Sequence, residues 1–233
     1  MQKLNVAARK ADIGILYQDD NVLVINKPAG IAMHAKNSND SNTTIHSIFA
    51  SQLAKGGDPL RSGIVHRLDK NTSGVVIMAK TSVALKFLQE QFAARTVYKQ
   101  YIALVWGHLK HQKARIELPV RRSAKAPNIM MIHPGGKAAV SEYRVINEYQ
   151  DYSLLEVDLH TGRTHQIRVQ FAHIGHSIVG DEQYGKRPIP EGLPRQFLHA
   201  KKLTITLPGQ EKVSSFEAPL PPELESFLEK LNG

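Results

Sequence analysis

The chain has 233 residues, of which 42% are apolar and 22% charged, with no cysteine and a formal net charge of +9. This length supports a sizeable core, the composition excludes a mostly disordered chain, and the lack of cysteine excludes disulfides, a thiolate nucleophile and a Cys-type zinc site. The longest apolar run, Tyr101 to Trp106, is six residues, against roughly 20 for a membrane helix, and no apolar stretch follows the first residues, so neither a membrane span nor a secretory signal is expected and a cytoplasmic protein is the economical reading.

Residues 1–12 are polar and read as an N-terminal arm, with one domain expected over 13–233. Ile13–Tyr17 and Val22–Asn26 are strand-like runs joined by the turn residues Gln18 to Asn21, a hairpin pattern. Lys27-Pro28-Ala29-Gly30 ends the second strand. A polar loop, Lys36–Thr44, precedes a helix beginning at Ile45, with Ile45, Ile48, Phe49 and Leu53 at helical spacing, closed by Gly56-Gly57-Asp58-Pro59. After Ile64-Val65 and a charged loop comes Val75–Ala79, a β-branched strand. Ser82–Arg95 reads as an amphipathic helix with Thr81 or Ser82 as N-cap. Tyr98–Trp106 alternates as a strand. Ile129–Ile132 and Ala138–Ile146 flank His133-Pro134-Gly135-Gly136 and read as a hairpin. Ser153–Leu159 is a further strand. Thr161-Gly162 turns into a helix carrying Ile167, Phe171 and Ile174. Phe197–Leu207 is a strand, and Pro222–Leu231 a final helix that opens on proline. Strands joined by hairpins, without β-α-β alternation, predict an α+β fold with a large, mixed, mainly antiparallel β-sheet flanked by helices.

Charge is concentrated. Residues 61–125 hold 13 basic and three acidic side chains (Asp69, Glu90 and Glu117) and account for the whole positive excess. Such a segment suits a polyanion, because each phosphate neutralised releases counterions. Between Gly107 and Lys125, six Lys or Arg face one acid, which reads as a phosphate-contacting surface or equally as a mobile basic loop.

Two constellations carry chemistry. His66-Arg67-Leu68-Asp69-Lys70-Asn71-Thr72-Ser73-Gly74 packs polar side chains between two apolar strands, and Asp69 is the lone acid between Asp58 and Glu90. Its carboxylate, kept ionised by basic surroundings, serves as a nucleophile or base, or else simply neutralises its neighbours and caps a turn. In Thr161 to Arg168, the residues Arg163, His165 and Arg168 cannot share one helical face. Arg168 orients a carboxylate or phosphate by bidentate bonding, or belongs to a solvated basic helix. Tyr98 and Tyr101 offer a stacking surface for a base or fill the core. The eleven histidines include no HExxH pair, and no phosphate-loop or dinucleotide motif occurs, so neither a metal nor a cofactor is expected.

Taken together, these segments resemble the RluA-type pseudouridine synthases. The likeness rests on His66-Arg67-Leu68-Asp69 with Thr72-Ser73-Gly74, on Tyr17 to Asn21 leading into Asn26 to Gly30, and on Lys99 to Ala103 with Gly107. It continues through Gly162 to Arg168, then Gly180-Asp181, Tyr184-Gly185 and Leu198-His199-Ala200, in the family's order from about residue 13 to 220. The resemblance implies the pseudouridine synthase fold with a central basic cleft, and isomerisation of uridine to pseudouridine in rRNA, tRNA or both. It implies Asp69 as the essential carboxylate, Tyr101 as the tyrosine that stacks on the target base, and Arg168 as the arginine that pairs with the catalytic aspartate. Arg67 matches the arginine that takes the place of the flipped-out nucleotide, and His66 and Arg163 join it as substrate-binding candidates. The chain departs from the pattern at Gln170, where the family often has histidine. It is also expected to lack the S4-like domain of many relatives and to be monomeric. The rivals are a base-releasing nucleic-acid glycosylase and a non-catalytic RNA-binding or ribosome-assembly module. If the basic 107–125 segment contacts phosphates, log affinity for RNA should fall linearly with log salt by about 0.7 per phosphate neutralised. Filter binding across a salt series measures this, and a flat line removes the reading.

Overall fold

A computed structural model describes residues 13–35, 37, 43–55 and 58–232. The expected arm at 1–12, most of the Lys36–Thr44 loop and Gly56-Gly57 lie outside the described residues. The elements in chain order are β1 (Gly14–Gln18), β2 (Val22–Lys27), α1 (Ile45–Phe49, continued by a 3₁₀ turn at Ala50–Gln52), β3 (Ser73–Ala79), α2 (Ser82–Ala94), β4 (Tyr98–Trp106), β5 (Lys113–Glu117), β6 (Val120–Arg122), β7 (Met130–Ile132), β8 (Val140–Tyr149), β9 (Tyr152–Leu159), α3 (Gln166–His173), β10 (Leu198–Thr206), β11 (Val213–Glu217) and α4 (Pro222–Leu231). The class is α+β, and the ladders of β1 with β2, β2 with β3, β4 with β9, β9 with β8, β8 with β5 and β10 with β11 are all antiparallel. Among the described residues no helix is long and apolar enough to cross a membrane. The chain forms two compact units, residues 1–97 with 202–219, and residues 98–201 with 220–233.

In the first unit the hairpin turn is made by Asp19, whose carboxylate accepts from the N–H groups of Asn21 and Val22 at 2.7 Å. Val22 to Ile25 are all 0% exposed, which explains why β2 reads as a continuous apolar run. Helix α2 starts at Thr81, whose hydroxyl accepts from the Ala84 N–H at 3.1 Å. It buries Ala84 and Leu88 against Val22, Val24, Val75, Ile77 and the β10 residues Leu203 and Ile205. The Gln91 amide fixes the helix to β10 by donating to the Thr206 carbonyl at 2.9 Å and accepting from its N–H at 3.0 Å.

In the second unit, alternation along β4 and β9 divides the side chains between two faces. Tyr101, Val157 and Tyr143 stand across β4, β9 and β8 on one face, where the Phe171 ring of α3 meets Tyr143 edge-on at 5.7 Å. Ile102, Leu104 and Leu154 occupy the other face, covered by Leu224 and Phe227 of α4. Arg195, 7% exposed, holds α4 in place by donating to Glu223 at 3.0 Å and to the Leu198 carbonyl at 3.2 Å.

The expected hairpin around His133 to Gly136 is not formed as such. The chain does turn there, with the Gly136 N–H on the His133 carbonyl, but β7 pairs back onto β6 as a separate ribbon and β8 joins β5 and β9. The preceding β5 and β6 strands, hidden in sequence by their charge, supply partners that a local pattern cannot show. Within the 107–125 stretch, eight of the 19 residues lie in β5 and β6. Truncating the fully buried Leu88 to Ala should cost about 2–5 kcal/mol of stability, read as a lower urea midpoint with unchanged slope. A change within error would mean that α2 does not carry this core.

Candidate active site

The 66–74 loop of the first unit is held by backbone bonds and buried side chains. Leu68, Thr72 and Ser73 are buried, Asp69 is half-buried and Arg67 is exposed. Thr72 N–H closes a turn on the Asp69 carbonyl at 3.1 Å, and the Lys70 carbonyl accepts from the Gly30 N–H at 2.9 Å. Lys27 is 0% exposed; its ammonium donates to the carbonyls of Pro28, Ile31 and Lys70 at 2.7, 2.9 and 3.2 Å. Three carbonyls around one cation offset much of the cost of burying it. His66, expected to meet substrate, anchors the loop: its Nε2 accepts from the Ile77 N–H at 3.0 Å and its ring stacks on Phe92 at 4.7 Å. A backbone N–H can only donate, so this imidazole carries its hydrogen on Nδ1. Arg67 reaches the Nε2 of His34 at 3.2 Å. Burial comes first among the causes that hold His34 below its ordinary pKa, and the Arg67 charge acts the same way.

The second unit holds Tyr101 and Arg168. Tyr101 is 8% exposed on β4. Arg168 points inward from α3, and its side chain is 7% exposed. Its Nε donates to Asp181 Oδ2 at 2.7 Å and its Nη2 to Asp181 Oδ1 at 2.8 Å. Nη2 also meets Gln183 Oε1 at 3.2 Å, and the guanidinium lies over the Tyr184 ring at 5.1 Å. Asp181 in turn accepts on Oδ1 from the N–H groups of Gln183 and Tyr184 at 3.0 and 3.1 Å. Glycines permit this tight turn. Gly180 has φ +76°, with a Cβ position 2.4 Å from the Arg195 carbonyl oxygen, and a Cβ on Gly185 would fall 2.3 Å from that of Asp181.

A buried polar network sets the register of α3. Gln166 donates to the Val140 carbonyl at 3.1 Å and to the Ser141 hydroxyl at 3.0 Å, while its Oε1 accepts from Thr161 at 2.8 Å. Ser141 donates to Gln170 at 2.7 Å, and the Gln170 amide donates to the Ala139 carbonyl at 3.0 Å. Gln170, the departure from the family pattern, therefore works as a brace. Arg163 donates from Nε to the Ala138 carbonyl at 3.1 Å. His165 takes the left-handed conformation at φ 54° ahead of α3, with Nδ1 2.7 Å from the Tyr184 hydroxyl. Sequence reasoning assigned no role to Lys27, Asp181 or Tyr184. The available signal for Asp181 was its place in the Gly180-Asp181 and Tyr184-Gly185 segments that carry the resemblance.

The RNA pseudouridylate synthase family model matches residues 21–173. A Chlorobaculum parvum protein named as an uncharacterized RNA pseudouridine synthase is 42% identical over 97% of this chain and 76% of its own length. The ribosomal large subunit pseudouridine synthase D of Haemophilus influenzae is 36% identical over 97% of this chain and 72% of its own. Among solved structures, human RNA pseudouridylate synthase domain containing 4 superposes with a TM-score of 0.78 at 25% identity, covering 97% of both chains.

Burial works to raise the Asp181 pKa, but the hydrogen bonds and charge of Arg168, with the two backbone N–H groups, outweigh it and leave the carboxyl below its ordinary 3.8. A carboxyl depressed in the folded state contributes stability that is complete above its unfolded pKa and lost as pH falls through the folded one. Stability should therefore drop as pH falls below 3.8, and Asp181→Asn should lack that part of the drop. Urea titrations above and below this pH measure it; parallel curves for both proteins would contradict the assignment.

Proposed function

Since this chain belongs to the RNA pseudouridylate synthase family, we propose that it converts uridine to pseudouridine in ribosomal RNA, transfer RNA or both, with Asp69 as the acting carboxylate. The reaction breaks the N1–C1′ bond, turns the uracil, joins C5 to C1′ and releases the C5 proton while the freed N1 takes one up, so reactant and product are isomers. In this reading Asp69 opens the reaction, either by adding to C1′ or by taking a ribose proton to give a glycal. Tyr101 lies against the uracil and assists loss of the C5 proton. Arg168 aims the Asp69 carboxylate by charge-assisted hydrogen bonding. Arg67 fills the space of the flipped nucleotide, whose extrusion costs a few kcal/mol and is cheapest in loops. Arg163 contacts the RNA, while His66 contributes by holding the loop. The reaction is redox-neutral and consumes no water, so a carboxylate, a guanidinium and a phenol are a sufficient set of groups.

The observation that carries this reading is the half-buried Asp69 on a loop whose neighbours are buried or tied by backbone bonds. A nucleophile or base is effective when its approach is fixed before substrate arrives. The relative from Haemophilus influenzae favours ribosomal RNA as the first substrate to test. A cytoplasmic monomer working on exposed loops of such RNA completes the proposal.

Asp69→Asn should abolish product formation while leaving RNA affinity within about threefold, because phosphate contacts position the RNA and the carboxylate does not. Mass spectrometry of ribosomal and transfer RNA from cells with and without the protein should show pseudouridine lost at discrete uridines. Near-normal turnover by the variant, or identical maps, would overturn the reading.

A further inference from the structure

Arg168 is restrained along an edge, on a face and at one end. Side-on capture of Nε and Nη2 by the two Asp181 oxygens sets the plane of the guanidinium. The Tyr184 ring lies beneath that plane, and Gln183 accepts from Nη2. The platform is itself fixed: the Gln183 amide donates to the Asn128 carbonyl at 2.9 Å, and the Tyr184 hydroxyl accepts from the Met130 N–H at 2.9 Å. These bonds join it to the segment of the β6–β7 ribbon. An arginine needs only one acceptor to neutralise its charge. Here its plane is determined as well, and with it the direction of the remaining terminal nitrogen, Nη1.

We propose that Asp181 is a positioning residue for the isomerisation, acting through Arg168 by presetting the orientation in which that guanidinium meets the reacting carboxylate. The inference rests on the role given to Arg168 above. A guanidinium tethered by a single contact would sweep a cone and spend part of its time misaligned, and displacement of about 1 Å costs on the order of 100-fold in rate. Orientation of this kind acts in the chemical step, whereas RNA affinity is set by phosphate contacts elsewhere.

Asp181→Asn separates these effects. The amide oxygen can keep the bonds from the Gln183 and Tyr184 N–H groups, while the amide nitrogen sets a donor against the Arg168 Nε donor. The single-turnover rate on an RNA substrate should fall about 100-fold, with the RNA dissociation constant within about twofold. In an Arg168→Ala background the same substitution should lower the rate no further, which a general loss of folding would not reproduce. A wild-type rate for Asp181→Asn, or two effects that multiply, would overturn the proposal. Should Asp181→Asn not fold, Gln183→Leu, which removes only one contact to Nη2 and one to the ribbon, should lower the rate about fivefold at unchanged affinity, and an unchanged rate would overturn it. Asp69→Asn run alongside distinguishes the failures: full turnover there defeats the proposed function, whereas an inactive Asp69→Asn beside a fully active Asp181→Asn defeats only this inference.

Discussion

A guanidinium inside a protein has to be paid for, and the pairing of Arg168 with Asp181 is the constraint on which the second unit depends. Removing one partner of a buried ion pair leaves an uncompensated charge that costs about 3–5 kcal/mol. The surrounding sequence is arranged so that neither partner is left alone. Gly180 and Gly185 let the chain turn tightly enough for its own N–H groups to reach the Asp181 carboxylate. Backbone bonds from Val179 to the Leu104 carbonyl and from Phe197 to the Val179 carbonyl, at 2.9 and 2.8 Å, hold that turn beside β4. The glutamines at 166 and 170 lock the helix that carries Arg168.

The first unit solves a similar problem with a different partner. Lys27 is a buried lysine whose side chain donates to three backbone carbonyls. Through the Lys70 carbonyl, one residue beyond Asp69, the lysine ties the β2 end to the loop. His66 adds a neutral imidazole bonded to β3. The result is a carboxylate whose flanking residues are fixed while it keeps partial contact with solvent, the balance a reacting group requires.

Much of this was legible in the sequence because it depends on short-range pattern. The β1–β2 turn, the Thr81 cap, the strand Tyr98–Trp106 and the helix Pro222–Leu231 all appear where local spacing and turn chemistry put them. The α+β class followed from the lack of β-α-β alternation. What escaped was non-local. Strands β5, β6 and β11 are short and polar, with exposed positions at Lys113, Arg121 and Val213, and only their partners make them strands. The ribbon β6–β7 replaced the expected hairpin for that reason. Asp69 and Arg168 were singled out by charge and spacing. Asp181 was not, because the need for an acid at that position is visible only once Arg168 is known to be buried. Lys27 likewise reads as a surface lysine until three carbonyls are seen to converge on it.

The chemistry proposed for these groups leaves a trace at one atom of the substrate. Joining C5 to the ribose expels the hydrogen at C5, whereas simple cleavage of the glycosidic bond leaves it in place and frees the base. The most direct measurement is therefore incubation of the protein with ribosomal RNA labelled with tritium at uridine C5, followed by counting of label in water and chromatography for free uracil. Release of tritium without free uracil is the predicted result. Retention of the label, or its recovery in free uracil, would contradict the account.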